Sequence, residues 1–175
     1  WNSRPRIRTV TTKRGIRIIQ HGTVLSEVLA APGPTHSVVD VLAAAVCGIA
    51  PKSPLALLGF EGGGILAPLR AMGGKHRIEA IDVSNRSVNI FDKLCRGWCG
   101  DVRFHLADAE EWLRRTQRKF GAVVEDISVS SNGDVTQPDS VWRILPKLAF
   151  HQLRSDGIAV FNLLAPESVS WKLAV

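Results

Sequence analysis

The stretch LALLGFEGGG, residues 55–64, is a short apolar run that leads directly into a cluster of glycines. Such a run is typical of a β-strand that is buried on both faces of a parallel sheet. Glycines between a strand and a helix let the backbone approach a ligand closely and expose the amides at the helix N-terminus. The glycines at 62–64 therefore indicate a ligand site, although a tight turn chosen only for its geometry would use the same residues.

On both sides of this stretch, short apolar strands alternate with helices. Further strands are predicted at 77–83, 101–106, 121–127 and 158–163, and a polar loop at 128–138. Helices are predicted at 38–49, 65–72, 84–96, 109–118 and 139–153, the last one split by Pro146. A hairpin that turns at His21-Gly22 precedes them. This order predicts an α/β fold: a Rossmann-like doubly wound, mainly parallel sheet with helices on both faces and a small N-terminal β-hairpin.

Composition limits the classes of function. No apolar run in the 175 residues reaches the ~18 that a membrane span needs, so we expect no membrane partner. Three cysteines are too few for a disulfide framework, and we expect a reduced, cytoplasmic setting. The chain starts at Trp1 rather than Met, so we expect that residues precede it in the whole protein.

The net charge of +6 is unevenly distributed along the chain. Residues 1–26 hold six basic side chains and no acidic one, whereas the remainder is balanced. We therefore divide the chain into a basic N-terminal arm with a β-hairpin, residues 1–34, and a Rossmann-like domain, residues 35–175. A basic arm can contact nucleic acid. No RNA-binding signature accompanies it, and we expect a solvated, strand-forming extension instead.

Acidic side chains lie at the carboxyl ends of the second and third predicted strands, at the sheet edge where such folds bind ligands. Asp82, followed by Val83, can accept hydrogen bonds from two ribose hydroxyls. Asp108, followed by Ala109, can accept one from an adenine amino group. Both aspartates also precede a predicted helix, where a carboxylate caps or stabilises the N-terminus without any ligand.

The fourth strand closes on two adjacent acids, Glu125 and Asp126. Neighbouring residues face opposite sides of a strand, so only one of the two can point into the cleft, and Asp126 is nearer the end. A carboxylate at this place can hold a cation or take a proton from an amine. Pairing with an arginine is the structural alternative.

Together these segments resemble the class I S-adenosylmethionine-dependent methyltransferase superfamily, and within it the spermidine synthase branch. The matching segments are 59–66 (GFEGGGIL), 108–113 (DAEEWL), 119–126, 138–142 (PDSVW) and 153–160 (LRSDGIAV). The resemblance implies a transferase that moves a methyl or aminopropyl group from a sulfonium cofactor, S-adenosylmethionine or its decarboxylated form, to a small-molecule acceptor such as an amine. It also implies a homodimer and two more strands after the fifth.

The resemblance assigns roles to particular residues. It implies that Asp126 is catalytic. It implies that the cofactor is held by Gly59, Glu61, Gly62, Gly63, Gly64, Asp82, Val83, Asp108 and Ala109.

The chain departs from the spermidine synthase pattern at several positions. Gly62 stands where that branch usually has an aspartate that helps to hold the aminopropyl ammonium, and Glu61 is the nearest substitute. By this alignment the ribose-binding glutamate falls at Ala80 and a polyamine-contacting glutamine near Leu25. The Asp-Pro of the gating loop is replaced by SVSSNGD at 128–134. A cofactor that keeps its carboxylate would account for the missing acid at position 62, because the two would repel each other.

Two other functions remain open. The departures fit a domain that binds a cofactor or a partner without catalysis. The spacing Gly62-x-Gly64-x-x-Ala67 satisfies a loose dinucleotide fingerprint, which indicates an NAD-dependent oxidoreductase. We expect no metal, because Cys95 and Cys99 lack a completing His-Cys set and the histidines show no metal-binding spacing.

Overall fold

The computed structural model describes residues 7–131 and 134–164. The strands are β1 (Arg8–Thr11), β2 (Gly15–Gln20), β3 (Thr23–Leu29), β4 (Leu55–Leu58), β5 (Ile78–Asp82), β6 (Val102–Leu106), β7 (Phe120–Glu125), β8 (Val129–Ser131), β9 (Asp134–Thr136) and β10 (Leu153–Phe161). The helices are α1 (Val38–Ile49), α2 (Leu66–Ala71), α3 (Val88–Leu94), α4 (Ala109–Arg115), α5 (Asp139–Arg143) and α6 (Leu145–Gln152). The first residues of the basic arm, the predictions for residues 132–133 and the chain after residue 164 lie outside the described residues.

Five strands form the central sheet, in the order β10-β7-β4-β5-β6. All four pairings are parallel. The chain adds β5 and β6 on one side of β4 and then returns to place β7 and β10 on the other side. The strand order therefore reverses between β4 and β7, the place where folds of this class bind ligands. The predicted α/β, doubly wound, mainly parallel sheet is confirmed.

Alternation along the strands gives the sheet two apolar faces. Leu55 and Leu57 of β4 pack into a cluster with α1, α2 and α3, whereas Ala56 and Leu58 pack into a second cluster with α4, α5 and α6. Since every residue of β4 and β7 is buried, these strands need apolar side chains on both faces. This explains why the continuous apolar runs predict the centre of the sheet.

The N-terminal hairpin is part of a larger unit than the sequence predicts. The turn at His21-Gly22 joins β2 to β3 as expected, but β1 pairs with β2 and makes an antiparallel sheet of three strands. Ile18 and Val28 of this sheet are fully buried in the cluster that contains α1 and α3. The small sheet is thereby packed against the Rossmann-like domain. The division of the chain at residue 34 stays a prediction.

Several predicted elements have different bounds in the structure, and α4, predicted to reach 118, ends at Arg115. The helix predicted from 84 begins only at Val88, because the Ser84 amide donates to Asp82 Oδ1 (2.9 Å) in a local turn. The loop at 128–138 contains the antiparallel pair β8 and β9. The fifth central strand begins at Leu153 rather than 158 and stays extended beside β7 through a register irregularity.

Proline has the predicted effect on the last helical segment, which is divided into α5 and α6 just before Pro146. Among the described residues, no helix is both long and apolar enough to cross a lipid bilayer.

Candidate active site

A cavity of about 700 Å³ opens at the carboxyl ends of the central strands, beneath the N-terminal sheet. Eight of the ten residues predicted for the site line it: Gly59, Glu61, Gly64, Asp82, Val83, Asp108, Ala109 and Asp126. Gly62 and Gly63 do not line it and are buried within the glycine loop. Residues separated by up to 67 positions in sequence thus meet in one cleft, as the parallel topology requires.

Gly59 allows the ends of β4 and β7 to lie close together. Its φ is +86°, and a Cβ at this position would lie 2.5 Å from the backbone oxygen of Asp126. The ladder continues here, because the Gly59 amide donates to the Ile81 oxygen (2.9 Å) and the Asp126 amide to the Leu58 oxygen (2.8 Å). Only glycine permits this approach, so β4 and β7 present their ends side by side.

Gly62 faces away from the cavity. A Cβ there would lie 3.0 Å from Ile18 Cδ1 and from Val28 Cγ2, both in the N-terminal sheet. An acid at this position would therefore be directed at apolar side chains, whereas the neighbouring Glu61 lines the cavity. The structure accounts for the departure at Gly62 by the packing of the small sheet on the loop.

Asp82 organises the glycine loop as well as lining the cavity. Its Oδ2 accepts from the amides of Phe60 and Glu61 (both 3.0 Å), and its Oδ1 accepts from the Ser84 amide. Ala80, where the resemblance aligns a ribose-binding glutamate, is fully buried in the apolar cluster and does not reach the cavity. Asp82 is the acid that β5 contributes to the cleft, and its ribose contact stays a prediction.

Glu61 brings a second carboxyl group close to Asp82. Its φ of +31° is unusual for a residue with a side chain, and its Oε1 accepts from the Ser87 hydroxyl (2.9 Å). Burial raises the pKa of Glu61, and the nearby Asp82 charge raises it further, against the lowering effect of the Ser87 bond. A cationic ligand in the cavity would stabilise the charged form of Glu61 and so lower its pKa again.

Asp108 has the capping role that was the structural alternative, and it also lines the cavity. Its Oδ1 accepts from the Glu111 amide (3.0 Å), which caps α4. Beside it, Val83 and Leu106 are 72% and 59% exposed although both are apolar, and both line the cavity. Solvent-exposed apolar side chains close to a hydrogen-bond acceptor are suited to binding a flat nucleobase.

At the end of β7 the structure separates the two acids as predicted. Asp126 lines the cavity, and Asn162 Nδ2 donates to its Oδ1 (2.8 Å). Burial raises the pKa of Asp126, while the bond from Asn162 lowers it. Glu125 points to the other side and is 0% exposed, with Oε1 accepting from the Ile127 amide (2.7 Å) and Oε2 without a partner among the described residues. Burial raises the pKa of Glu125 to about 8.

The residues that sequence reasoning missed include Leu106, which lines the cavity, Asn162, which contacts Asp126, and the charged lining residues Arg86 and Glu110. Asn162 follows the fifth central strand, so the rule that selected Asp82, Asp108 and Asp126 would also have selected it. Leu106 ends the third strand and carried no signal, because an apolar residue at a strand end is not distinguished from a core residue by type.

The two predicted thiols lie in the apolar core. Cys95 and Cys99 belong to the cluster beneath α3, and burial raises the pKa of Cys95 to about 12. Within the described ranges no group of three His, Cys, Asp or Glu side chains is arranged to hold a metal ion.

No protein-family model matches this chain, and no curated protein does. Its fold is nevertheless shared with solved structures. A spermidine synthase in complex with the transition state analogue AdoDATO has a TM-score of 0.65 at 16% identity, covering 89% of this chain and 53% of that one. The spermidine synthase of Thermotoga maritima gives 0.63 at 14% identity, with coverages of 89% and 51%.

A methyltransferase gives a similar result. The SAM-dependent methyltransferase of Agrobacterium tumefaciens has a TM-score of 0.60 at 12% identity, covering 95% of this chain and 55% of that one. The chain shares its fold with two spermidine synthases and with this methyltransferase. It spans about half the length of these three structures, and the likeness, at such low identity, concerns the fold.

Proposed function

We propose that this chain binds an adenosyl-sulfonium cofactor in the cavity and transfers a methyl or aminopropyl group from it to a nucleophilic acceptor. The observation that carries the proposal is the set of acids from the ends of three strands of the central sheet, Asp82, Asp108 and Asp126, in one cleft of about 700 Å³. A volume of this size suits a nucleoside with a side chain. The shared fold with spermidine synthase and methyltransferases supports the same class.

The residues present fit such a cofactor. Gly59 leaves room where a Cβ would fill the floor between β4 and β7, Val83 and Leu106 offer open apolar surface, and Asp82 and Asp108 offer acceptors. Asp82 would hold the ribose and Asp108 the adenine. When bound, the cofactor supplies a carbon that is activated by its sulfonium, so that a nucleophile can displace the thioether.

Asp126 is the residue that would act on the acceptor. Its Oδ1 accepts a hydrogen bond from Asn162. Within the described residues no hydrogen bond to Oδ2 is present, so Oδ2 can accept one from an N–H of an incoming amine. A carboxylate in this position orients the amine and accepts its proton. The raised pKa of Asp126 makes it a better base than an exposed aspartate. Alignment of nucleophile and carbon supplies much of the remaining rate.

The sign of the cavity charge favours amines and the decarboxylated cofactor. The acids that line the cavity are Glu61, Asp82, Asp108, Glu110 and Asp126, and among the described lining residues Arg86 is the single basic side chain. A cofactor tail that ends in an ammonium is attracted by this field, whereas a carboxylate is repelled. The acid missing at Gly62 is in effect supplied by Glu61.

The oxidoreductase alternative receives less support. Of its three fingerprint positions only Gly64 lines the cavity, while Gly62 and Ala67 are buried away from it. The dinucleotide fingerprint requires close approach of these glycines to a pyrophosphate. Gly62 instead packs on the N-terminal sheet.

Calorimetric titration with S-adenosylmethionine, its decarboxylated form and NAD tests the proposal. We expect both sulfonium compounds to bind, the decarboxylated one more tightly, and NAD not to bind. Turnover with a panel of amines is then measured through the amount of thioether nucleoside that is released. Asp126→Asn should bind the cofactor and lose turnover, and Asn89→Ala on the exposed surface of α3 serves as the control. Binding without turnover would support the non-catalytic alternative, and binding of neither sulfonium would overturn the proposal.

A further inference from the structure

Asn162 directly follows β10, and its side chain contacts Asp126, the proposed base. Its side-chain nitrogen donates to Asp126 Oδ1 at 2.8 Å across 36 positions of sequence. A carboxamide does not titrate, so this donor is present at every pH. Because it occupies one oxygen of Asp126, the direction of the other is set as well.

The backbone of Asn162 is held on both sides. Its amide donates to the Glu125 oxygen at 2.9 Å, which extends the β10–β7 ladder by one step. Its carbonyl accepts from Gln137 Nε2 at 2.6 Å. The side chain that contacts Asp126 therefore extends from a fixed point rather than from a loose loop end.

Gln137 connects three chain segments with a single side chain. Its Nε2 also donates to the Ile127 oxygen at 3.1 Å, and its Oε1 accepts from the Leu164 amide at 2.8 Å. Both protons of the nitrogen and the oxygen of this amide are thus used by backbone groups. The contacts lie just after Asp126, at Asn162 itself and two residues after it, so Gln137 holds the ends of β7 and β10 at one spacing.

We propose that Asn162 is a positioning residue that holds the Asp126 carboxyl group toward the cavity, and that Gln137 fixes Asn162 in that place. The proposal rests on the proposed function for the reaction that Asp126 serves. It goes beyond that function in naming what orients the base. The segment between β7 and α5, which contains Gln137, is thereby coupled to the catalytic geometry.

The charged surroundings of Asp126 determine what loss of Asn162 does. Glu61, Asp82, Asp108, Glu110 and Arg86 share the cavity, and Glu125 lies on the opposite side of β7. Burial raises the pKa of Asp126, and the bond from Asn162 opposes that effect. Without the donor the carboxylate is less stable, and its pKa must rise further.

Titration of the Asp126 carboxyl carbon by NMR, assigned with Asp126→Asn, measures this directly in the ligand-free protein. In Asn162→Ala we expect the titration midpoint to move up by about one pH unit. In Asn162→Asp, which keeps the side-chain shape, we expect Asp126 to titrate in two coupled steps. Asn89→Ala should leave the curve unchanged. An unaltered Asp126 midpoint in Asn162→Ala would overturn the proposal, whether or not a sulfonium compound binds.

Steady-state kinetics, with whichever amine of the panel is turned over, distinguish a positioning role of Asn162 from a role in folding. Asn162→Ala should lower kcat by an order of magnitude or more, leave cofactor affinity within about twofold, and shift the acidic limb of the pH profile upward. Gln137→Ala should lower kcat in the same way. Its matched control is Gln152→Ala, because Gln152 also donates to a backbone oxygen, that of Leu113 (3.0 Å), but far from the cavity. Equal effects of the two glutamine variants would contradict a positioning role for Gln137.

Discussion

At the residue scale, Asp82 and Asp108 each serve the fold and face the cavity. Asp82 accepts three backbone amides, and Asp108 caps α4, so either side chain would be needed without any ligand. A carboxylate offers about four acceptor positions, which leaves capacity for a ligand hydroxyl or amino group. A variant at such a position must therefore be compared with one that keeps the structural contact.

Asp108→Ala should weaken binding of the adenosyl cofactor by an order of magnitude or more, because it removes the acceptor for the adenine. It should also lower the free energy of unfolding by about 1 kcal/mol through loss of the cap. Asp108→Ser retains a capping oxygen but is too short to reach the ligand, so it should lose affinity while keeping stability. Calorimetry and urea denaturation measure the two effects. Undiminished affinity in both variants would show that Asp108 does not contact the nucleoside.

Glu125 makes the protein less stable as the pH rises, whereas an acid in a salt bridge would make it more stable. Its pKa is raised from 4.5 to about 8 in the folded chain, so between these values the folded state binds more protons than the unfolded state. The contribution of Glu125 to the unfolding free energy therefore decreases as the pH rises through this range, by up to about 1.4 kcal/mol per pH unit.

Glu125→Gln should remove this dependence, because the amide is neutral at every pH and retains an oxygen for the Ile127 amide. Urea denaturation at pH 6 and pH 9 compares the two proteins, and the variant should gain stability relative to the wild type at the higher pH. Parallel pH dependence of the two proteins would mean that Glu125 is ionised in the folded state.

At the element scale, the site depends on how closely β4 and β7 approach and on where the N-terminal sheet packs. Gly59 permits the first, since a Cβ would meet the Asp126 backbone. Gly64 permits the second, since a Cβ there would lie 2.6 Å from Ser26 Oγ. The glycine cluster thus forms a junction between two sheets, and the ligand cavity is the space that the junction leaves.

Gly59→Ala should lower the free energy of unfolding by roughly 3 kcal/mol or more, because a positive φ and a backbone clash are combined at one residue. Gly22→Ala is the matched control. Its φ of +84° is nearly the same, but no atom lies within 4 Å of the added Cβ, so only the conformational cost of about 1 kcal/mol is expected. Denaturation curves of both variants provide the measurement. Similar losses would contradict the close approach at Gly59.

At the scale of the whole molecule, the chain carries a charge of +6 while its cavity is lined by acids. Six basic side chains and no acidic one lie in the first 26 residues, whereas Arg86 is the single basic side chain among the described residues that line the cavity. A cationic ligand is therefore drawn to the cavity by the local field rather than by the net charge.

Salt should weaken this attraction. Raising the ionic strength to about 0.5 M shortens the screening length to roughly 4 Å, so affinity for decarboxylated S-adenosylmethionine should fall about threefold or more. Methylthioadenosine, which has the same nucleoside and no charge, should bind with little change and is the control in the same calorimetric series. An equal response of the two ligands would show that the acids of the cavity do not contribute through their charge.

The order of strands and helices, and the two faces of the sheet, follow from local patterns in the chain. The apolar runs at β4 and β7, the alternation of Leu57 and Leu58, and the acids after β5, β6 and β7 are all visible in the sequence because each depends on neighbours a few residues away. The position of Asp82, Asp108 and Asp126 at strand ends selected them without knowledge of any contact, and all three line one cavity.

Contacts between remote segments account for what local pattern could not supply. Gly62 faces Ile18 and Val28, and Asn162 reaches Asp126, because packing joins segments that are 34 to 44 positions apart. Ala80 lies in the core for the same kind of reason. The extra strand β1 and the early start of β10 have the same origin, since a strand with weak propensity forms when a neighbour offers its unpaired backbone. Which side chain of a strand end reaches the cavity was set by this packing, because a shift of one residue reverses the face that a side chain occupies.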